Sequence, residues 1–259
     1  MTTANFSINT FSLTGKTALI TGGASGLGRY YSEALSSVGA NILVVSRDDS
    51  GWAETKHIVE SYGQTVNFLK LDITKKDAAD QIINFIKSSS QTLDILVNNA
   101  GMQKRHEWQE FPDEDWDAVI NLNLNAVYHI SKAAALLMSE NGGGKIINIG
   151  SMQSYRAGKF IFPYTASKHG VVGLTKAYAD ALAVHNIQVN AIAPGYIDTP
   201  MTKALQEDET RNKEILQHIP AGHWANPKEL MGTVVFLASH ASDYVTGVTL
   251  PVDGGYLLR

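Results

Sequence analysis

Short runs of β-branched and other apolar residues alternate with helix-length segments along the chain, and this alternation leaves few folds open. Seven runs are predicted as strands: Thr17–Thr21, Asn41–Ser46, Thr65–Leu71, Leu93–Asn98, Lys145–Ile149, Gln188–Ala193 and Thr249–Val252. Most are apolar on both faces, which is typical of parallel strands that helices cover on each side. The intervening segments predict six helices, over roughly Leu27–Val38, Trp52–Tyr62, Ala78–Ser88, Asp115–Glu140, Tyr164–Val184 and Pro227–Ser239. The sequence therefore predicts a single α/β domain over residues 1–259, with a Rossmann-like, doubly wound, seven-stranded parallel sheet.

The segment from about residue 195 to residue 226 interrupts this alternation. It contains Pro200, Pro220 and a polar stretch between Gln206 and Lys213, and it is too long for an ordinary connection between a strand and a helix. We expect it to form a lid over a site at the carboxyl ends of the strands. A structural insertion without a catalytic role is the alternative.

Composition excludes several classes of protein. The chain has 259 residues, a net charge of −4 and no cysteine, which rules out a disulfide scaffold, a thiolate metal site and a cysteine nucleophile. Because the chain is not polybasic, we expect no nucleic-acid partner. Its longest apolar run, Ala133–Met138, has six residues, against the ~20 needed to cross a bilayer. We expect a soluble, cytoplasmic protein with no membrane partner and no metal in its site.

A glycine-rich loop, Thr21–Gly28, joins the first predicted strand to the first helix. Glycines allow a tight turn and a close approach of the backbone to a pyrophosphate, and the helix N-terminus adds free N–H groups. In this position the loop predicts a dinucleotide site, although a plain tight turn is the alternative. The expected cofactor contacts in the loop are Thr21, Gly22, Ser25, Gly26, Leu27 and Gly28.

The end of the second predicted strand indicates which dinucleotide binds. An NAD site usually has an acid there, about 20 residues beyond the glycine loop, to hold the ribose hydroxyls. This chain has Ser46 and Arg47 instead, and the Arg47 guanidinium could pair with a 2′-phosphate. We therefore favour NADP(H) over NAD(H). In the competing interpretation Arg47 is solvated, while Asp48 or Asp49 reaches the ribose.

The pattern Tyr-x-x-x-Lys occurs three times, and context separates the copies. Tyr128 lies inside a long predicted helix, where packing is its expected role, and Tyr155 lies in an apparent loop. Tyr164 opens a helix, so Tyr164 and Lys168 lie one turn apart on one face. Ser151, after the fifth predicted strand, is the serine expected near this pair.

These three groups suit the reduction of a carbonyl by a hydride. The developing alkoxide needs a proton donor, and a phenol of pKa ~10 is poorly matched to neutral pH. A neighbouring ammonium lowers the phenol pKa because it favours the phenolate, and a serine hydroxyl can hold the carbonyl oxygen. We predict that Tyr164, Lys168 and Ser151 are catalytic; a chance pair on a helix face is the alternative.

With these motifs the chain resembles the short-chain dehydrogenase/reductase family over nearly its whole length. The segments that carry the resemblance are Thr21–Gly28, Asn98–Gly101, Ser151, Tyr164–Lys168 and Pro194–Gly195. The resemblance implies that Tyr164 is the general acid/base, that Lys168 binds the nicotinamide ribose and lowers the Tyr164 pKa, and that Ser151 polarises the substrate oxygen.

The resemblance also implies an asparagine that supports a water-mediated proton relay, and further cofactor contacts. Among Asn121, Asn123 and Asn125, the family pattern selects Asn123. Asp72 resembles an adenine-binding acid, although it could simply cap a helix, and Thr199 matches a carboxamide-binding residue. The remaining contacts implied by the resemblance are Ile73, Asn99, Ala100, Gly101, Tyr164, Lys168, Pro194, Gly195 and Ile197.

Loops at the predicted strand ends carry basic and amide side chains in a protein that is acidic overall. Basic side chains at the entrance of a site suggest an anionic substrate, and amide side chains suit a polyol. In the alternative interpretation these are ordinary solvated loop charges. The expected substrate contacts are Gln103, Lys104, Arg105, Gln153 and Arg156.

Within the family, three segments look like the gluconate 5-dehydrogenases: Ala100–Arg105, Ser151–Ser154 and Ala193–Tyr196. Two more, Ile219–Gly222 and Ala241–Tyr244, look equally like the 2-keto-3-deoxygluconate dehydrogenases. Both groups interconvert a hydroxyl and a ketone on a six-carbon sugar acid. We expect that chemistry, with Lys104, Arg105 or Arg156 near the carboxylate. Another enzyme of the family, such as a 3-oxoacyl-carrier-protein reductase, and a non-catalytic dinucleotide sensor are the alternatives.

The predicted helix Tyr164–Val184 carries few charges for a helix on the outside of a sheet. Its Lys, Arg, Asp and Glu residues are Lys168, Lys176 and Asp180, whereas a solvent-facing helix normally shows a charged outer stripe. We expect this helix to be buried against another subunit. The family is usually tetrameric through this helix and its neighbour, so a homotetramer is expected.

Overall fold

The computed structural model describes residues 7–89 and 91–259; the other residues of the predicted domain 1–259 lie outside the described ranges. Seven parallel strands form one sheet in the order β3-β2-β1-β4-β5-β6-β7. Their bounds are β1 Thr17–Thr21, β2 Asn41–Ser46, β3 Val66–Lys70, β4 Ile95–Asn98, β5 Gly144–Ile149, β6 Ile187–Pro194 and β7 Thr249–Val252. The predicted fold class is confirmed.

Helices cover both faces of this sheet. In the described ranges they are α1 Gly26–Ser37, α2 Trp52–Ser61, α3 Ala78–Ser88, α4 Asp113–Ile120, α5 Ala126–Glu140, α6 Phe162–Leu182, α7 Lys203–Glu207, α8 Glu209–His218 and α9 Met231–Ala238. None of these helices is long and apolar enough to span a membrane.

Two helix predictions need correction. The predicted helix Asp115–Glu140 is divided, because a π-helical turn over Asn121–Asn125 separates α4 from α5. The predicted helix Pro227–Ser239 begins with a 3-10 turn, Pro227–Leu230, because Asn226 caps it and proline fixes its first turn. The segment 195–226 contains α7 and α8.

The core lies on both sides of the sheet because successive side chains of a strand point to opposite faces. Ile20 of β1 packs in a cluster with Leu35 of α1 and Leu237 of α9. Its neighbour Leu19 packs on the other face, in a cluster with Ile130 of α5. Both faces are therefore apolar, as the unbroken apolar runs predict.

The order of the strands locates the site. β1 lies between β2 and β4, so the direction in which the chain adds strands reverses between β1 and β4. Open α/β sheets bind ligands in the crevice at such a reversal, beyond the carboxyl ends of the strands. The glycine loop after β1 and the loop after β4 both begin at this crevice.

Candidate active site

A cavity of about 740 Å³ occupies the crevice at the carboxyl ends of the strands. It extends from the glycine loop to α6. The predicted site residues that line it are Gly22, Ser25, Gly26, Leu27, Ser46, Arg47, Asp72, Ile73, Asn99, Ala100, Gly101, Gln103, Arg105, Ser151, Gln153, Tyr164, Lys168, Pro194, Gly195, Ile197 and Thr199. The predicted site residues that do not line it are Thr21, Gly28, Lys104, Asn123 and Arg156.

The glycine loop leaves room beside the N-terminus of α1. Gly22 and Gly26 have positive φ angles of 67° and 53°, which favour glycine. A Cβ at Gly26 would meet no atom within 4 Å, whereas a Cβ at Gly28 would lie 2.1 Å from the Gly22 carbonyl oxygen. The N-cap Ser25 makes no side-chain capping bond, so the first N–H groups of α1 face the cavity without that partner. This cradle fits a dinucleotide pyrophosphate.

Thr21 and Asn99 connect the glycine loop to the segment that follows β4. The Thr21 hydroxyl accepts hydrogen bonds from the backbone N–H groups of Asn99 and Ala100, at 3.0 and 3.1 Å. The Asn99 carboxamide donates to the Thr21 carbonyl at 3.0 Å. These bonds join the ends of β1 and β4, so Thr21 and Gly28 shape the loop from outside the cavity.

Three charged side chains line the end of the cavity beside β2 and β3. Arg47 is exposed there. The Asp72 carboxylate accepts bonds from the Thr74 N–H at 3.0 Å and the Thr74 hydroxyl at 2.7 Å, and these bonds lower the Asp72 pKa. Asp48 accepts from the Ser50 backbone N–H at 3.1 Å and from the Ser50 hydroxyl, and these bonds lower the Asp48 pKa. Both acids are thus held as carboxylates by their own loops.

Ser151, Tyr164 and Lys168 meet at the other end of the cavity. Ser151 and Tyr164 both line this part of the cavity, and the Ser151 hydroxyl acts to lower the Tyr164 pKa. The Lys168 ammonium lies 5.5 Å from the centre of the Tyr164 ring and donates to the Ile149 carbonyl at 2.6 Å. Pro163 and the start of α6 place Tyr164 and Lys168 on one face, while the end of β5 brings Ser151 towards them.

Burial dominates the pKa values of this trio. It raises the pKa of Tyr164, and the Ser151 hydrogen bond only partly offsets the rise. Burial lowers the pKa of Lys168 to about 8. The expected lowering of the Tyr164 pKa is therefore wrong in direction for this site. Desolvation of the phenolate is the dominant cause, and the Lys168 ammonium donates to the Ile149 carbonyl.

Asn123 lies in the π-helical turn. Turns of this kind often occur at functional sites. The Asn123 carboxamide accepts from the Met102 N–H and donates to the Met102 carbonyl, both at 2.9 Å. It also donates to the Ser167 hydroxyl at 3.3 Å. The side chain therefore fixes the loop after β4 against α6, next to Lys168.

Two of the predicted substrate cations are engaged elsewhere. Lys104 forms an ion pair with Asp115 at 3.1 Å. Arg156 donates to His218 at 2.9 Å, and its guanidinium lies 4.7 Å from the centre of the Tyr256 ring. Fewer cations line the cavity than predicted, because Lys104 and Arg156 bind other side chains. Arg105 does line the cavity.

The other tyrosines of the repeated pattern lie outside the cavity. Tyr155 donates to the Thr249 carbonyl at 2.8 Å, and the half-exposed Tyr128 stacks on Tyr178. Several residues that were not predicted as site residues also line the cavity, and the last three of them lie in the predicted lid. They are Thr74, Met102, Tyr196, Met201 and Leu205.

Known proteins resemble this chain over nearly its whole length. Residues 22–257 match the family model described as enoyl-(acyl carrier protein) reductase. The uncharacterized oxidoreductase YgcW of Escherichia coli (strain K12) is 48% identical over 98% of this chain and 97% of its own length. The 2-dehydro-3-deoxy-D-gluconate 5-dehydrogenase of Bacillus subtilis (strain 168) is 47% identical over 96% of this chain and 97% of its own.

A solved structure agrees with the fold and the site. The gluconate 5-dehydrogenase of Burkholderia cenocepacia J2315, crystallised with NADP and tartrate, has a TM-score of 0.92 and 37% identity, covering 97% of this chain and 98% of that one. Together with the strand order and the Ser151–Tyr164–Lys168 group, these matches show that the chain belongs to the short-chain dehydrogenase/reductase family, and that it is an NAD(P)-dependent oxidoreductase acting on CH–OH groups.

Proposed function

We propose that the protein interconverts a secondary hydroxyl and a ketone at carbon 5 of a six-carbon sugar acid of the gluconate or 2-keto-3-deoxygluconate type. The observation that carries this proposal is one continuous cavity. It joins the glycine cradle to Ser151, Tyr164 and Lys168, and Arg105 also lines it. The names of the Bacillus and Burkholderia relatives support the same substrate class.

In the proposed reaction Tyr164 donates the proton to the substrate oxygen during reduction and removes it during oxidation. Burial raises its pKa, so the phenol carries a proton at neutral pH, and stabilisation of the phenolate by the Lys168 ammonium is what would make that proton easier to transfer. Ser151, which lines the cavity with Tyr164, holds the substrate oxygen beside the phenol. Lys168, whose pKa is about 8, is a cation at neutral pH and stabilises negative charge on that oxygen and on Tyr164. A bound nicotinamide supplies or accepts the hydride.

We propose further that NADP(H) is preferred over NAD(H). Arg47 would pair with the 2′-phosphate, and Ser46 would lie beside it. The pyrophosphate would lie on Gly22 and Ser25–Leu27. The adenosine would contact Asp72, Ile73 and the segment Asn99–Gly101, and the nicotinamide would contact Lys168, Pro194, Gly195, Ile197 and Thr199.

Arg105 is the proposed partner of the substrate carboxylate, in place of Lys104 or Arg156. Gln103 and Gln153 would bind the polyol. The Gln153 side-chain oxygen is buried and has no hydrogen-bond partner among residues 7–89 and 91–259. Because an unsatisfied buried acceptor is costly, a substrate hydroxyl donating to it is the expected partner.

We also propose that the segment 195–226 closes over the bound substrate. Met201, Thr202 and Leu205 from this segment line the cavity, so movement of α7 would change access to it. Limited proteolysis should cut this segment more slowly once NADPH and a sugar acid are bound. Equal cutting with and without both ligands would contradict a lid.

A homotetramer is the proposed assembly. Tyr128 and Leu136 on α5 are 42% and 61% exposed, and Val184 beyond α6 is 85% exposed. These apolar side chains lie beside the helix that the sequence predicts at a subunit interface, or on the neighbouring helix that the family resemblance implies. Light scattering should give about four times the 28.1 kDa chain mass, and a monomer would refute the proposal.

The substrate proposal is tested by the oxidation of NADPH and NADH, measured in parallel against three ketones. The first two are 5-ketogluconate and a 2,5-diketo-3-deoxy sugar acid; the third, an uncharged ketohexose, is the control for the carboxylate. We expect turnover of at least one acid, weak turnover of the ketohexose, and a lower KM for NADPH than for NADH. No oxidation of either cofactor with either acid would reject the substrate class.

A further inference from the structure

The loop after β4 presents alternate side chains to two different places. Gln103 and Arg105 line the cavity, whereas Lys104 and His106 do not. Those two side chains point instead to the same carboxylate: the Lys104 ammonium lies 3.1 Å from Asp115 Oδ1, and His106 Nε2 donates to Asp115 Oδ2 at 2.7 Å. Along residues 103–106 the side chains thus alternate between the cavity and Asp115. Fixing residues 104 and 106 therefore directs residues 103 and 105 into the cavity.

The backbone on either side of this segment is also held. Met102 makes two hydrogen bonds of 2.9 Å with the Asn123 carboxamide, and the His106 N–H donates to the Phe160 carbonyl at 3.1 Å. Between these two anchors no backbone hydrogen bond to the segment is found within the described ranges, so the contacts of Asp115 are what fix its side-chain alternation.

Asp115 is suited to this role by its own position. It lies in the first turn of α4, where the helix dipole stabilises a carboxylate, and only 18% of its side chain is exposed. The hydrogen bonds from His106 and Lys104 hold its pKa below the usual range, so it remains an acceptor for both donors. The His106 ring also packs edge-on against Phe111, with the ring centres 5.0 Å apart.

We propose that Asp115 is a positioning residue for substrate binding: it clamps Lys104 and His106 and so holds Arg105 and Gln103 in the cavity. This inference rests on the proposed function, because it makes Arg105 the group through which Asp115 acts. Asp115 itself touches neither the substrate nor the cofactor. Lys104 then belongs to the clamp and does not bind the substrate carboxylate.

The kinetic test compares Asp115→Ala, Arg105→Ala and the double variant. Removing a hydrogen bond to a charged group should raise KM for the sugar acid about tenfold to a hundredfold in Arg105→Ala. We expect about fivefold to tenfold in Asp115→Ala, with kcat, KM for NADPH and KM for an uncharged ketohexose within about twofold of wild type. The double variant should match Arg105→Ala, because residues that act through one another are not additive.

Asp113→Ala is the matched control, since Asp113 lies in the same first turn of α4 and is exposed. It should leave every constant within about twofold of wild type. Additive effects of Asp115→Ala and Arg105→Ala, or equal losses on the charged and uncharged substrates, would overturn the positioning role.

A second measurement keeps the clamp testable without turnover. Amide hydrogen exchange should be faster at His106, whose N–H donates to the Phe160 carbonyl, in Asp115→Ala than in wild type or Asp113→Ala, with the exchange of β4 unchanged. Unchanged exchange at His106 would refute the clamp, whichever substrate the enzyme uses. A wild-type enzyme silent on sugar acids, with faster exchange in Asp115→Ala, would reject the proposed substrate and the role of Arg105 while leaving the clamp intact.

Discussion

We expect Lys168 to make the free energy of unfolding depend on pH. Replacing Lys168 by a neutral residue should remove this dependence. Lys168 is 5% exposed, and burial lowers its pKa from 10.5 to about 8. Between those two values the unfolded chain carries the proton and the folded chain does not. Because the unfolded state then binds more protons, the free energy of unfolding rises with pH across this window.

The size of the effect follows from the pKa shift. Each pKa unit corresponds to about 1.4 kcal/mol. The lowered pKa of Lys168 therefore reduces the free energy of unfolding by about 3 kcal/mol at neutral pH. This reduction is complete below about pH 8 and disappears as the pH approaches the ordinary value for lysine. The Lys168→Met variant has no such charge and should lack this dependence.

The assay is urea unfolding of wild type and Lys168→Met at pH values from neutral to about 10, with the free energy obtained by linear extrapolation. Wild type should gain about 2–3 kcal/mol relative to the variant over this range. Lys176→Met, which removes an exposed lysine from the same helix, should follow wild type. A difference between wild type and Lys168→Met that stays flat with pH would refute the assignment of a lowered pKa to Lys168.

Three further substitutions test the roles of other residues. Tyr164→Phe should lower kcat about 10²–10⁴-fold while NADPH affinity, measured by fluorescence titration, stays within about twofold; near-normal kcat would exclude Tyr164 as the proton donor. Arg47→Ala should raise KM for NADPH about tenfold or more and leave KM for NADH unchanged, and equal changes would place the 2′-phosphate elsewhere. Gly28→Ala puts a Cβ 2.1 Å from the Gly22 carbonyl oxygen and should cost ~1–3 kcal/mol of unfolding free energy. Gly173→Ala, with no atom within 4 Å of its Cβ, is the control and should not destabilise the protein.

The sheet was predictable because local pattern and tertiary burial agree along most of the chain. Runs such as Ile42–Val45 are apolar throughout, and both faces of the sheet bury them. The π-helical turn at Asn121–Asn125 was not predictable, because an inserted residue shifts hydrogen bonds without changing which residues are apolar. The context that singled out Tyr164 among three tyrosines was a helix start and a nearby strand end, both of which are local signals.

The assignment of the cations failed for a different reason. A lysine or arginine in a loop shows its charge in the sequence, but its partner depends on distant parts of the chain. Arg156 meets His218, 62 residues away, and Lys104 meets an acid at the start of the next helix. The pKa of Tyr164 is similar: the sequence shows the nearby ammonium, whereas the burial that dominates appears only in the folded protein.

The proposed reaction is a hydride transfer to carbon 5 of a sugar acid, with Tyr164 as proton donor. It is tested most directly with NADPH deuterated at the transferred position and 5-ketogluconate, followed by NMR of the product from wild type and Tyr164→Phe. We predict deuterium on carbon 5 of gluconate with wild type, and at least a hundredfold less product with the variant. Deuterium on another carbon, no labelled product from wild type, or equal labelling by Tyr164→Phe would contradict the account.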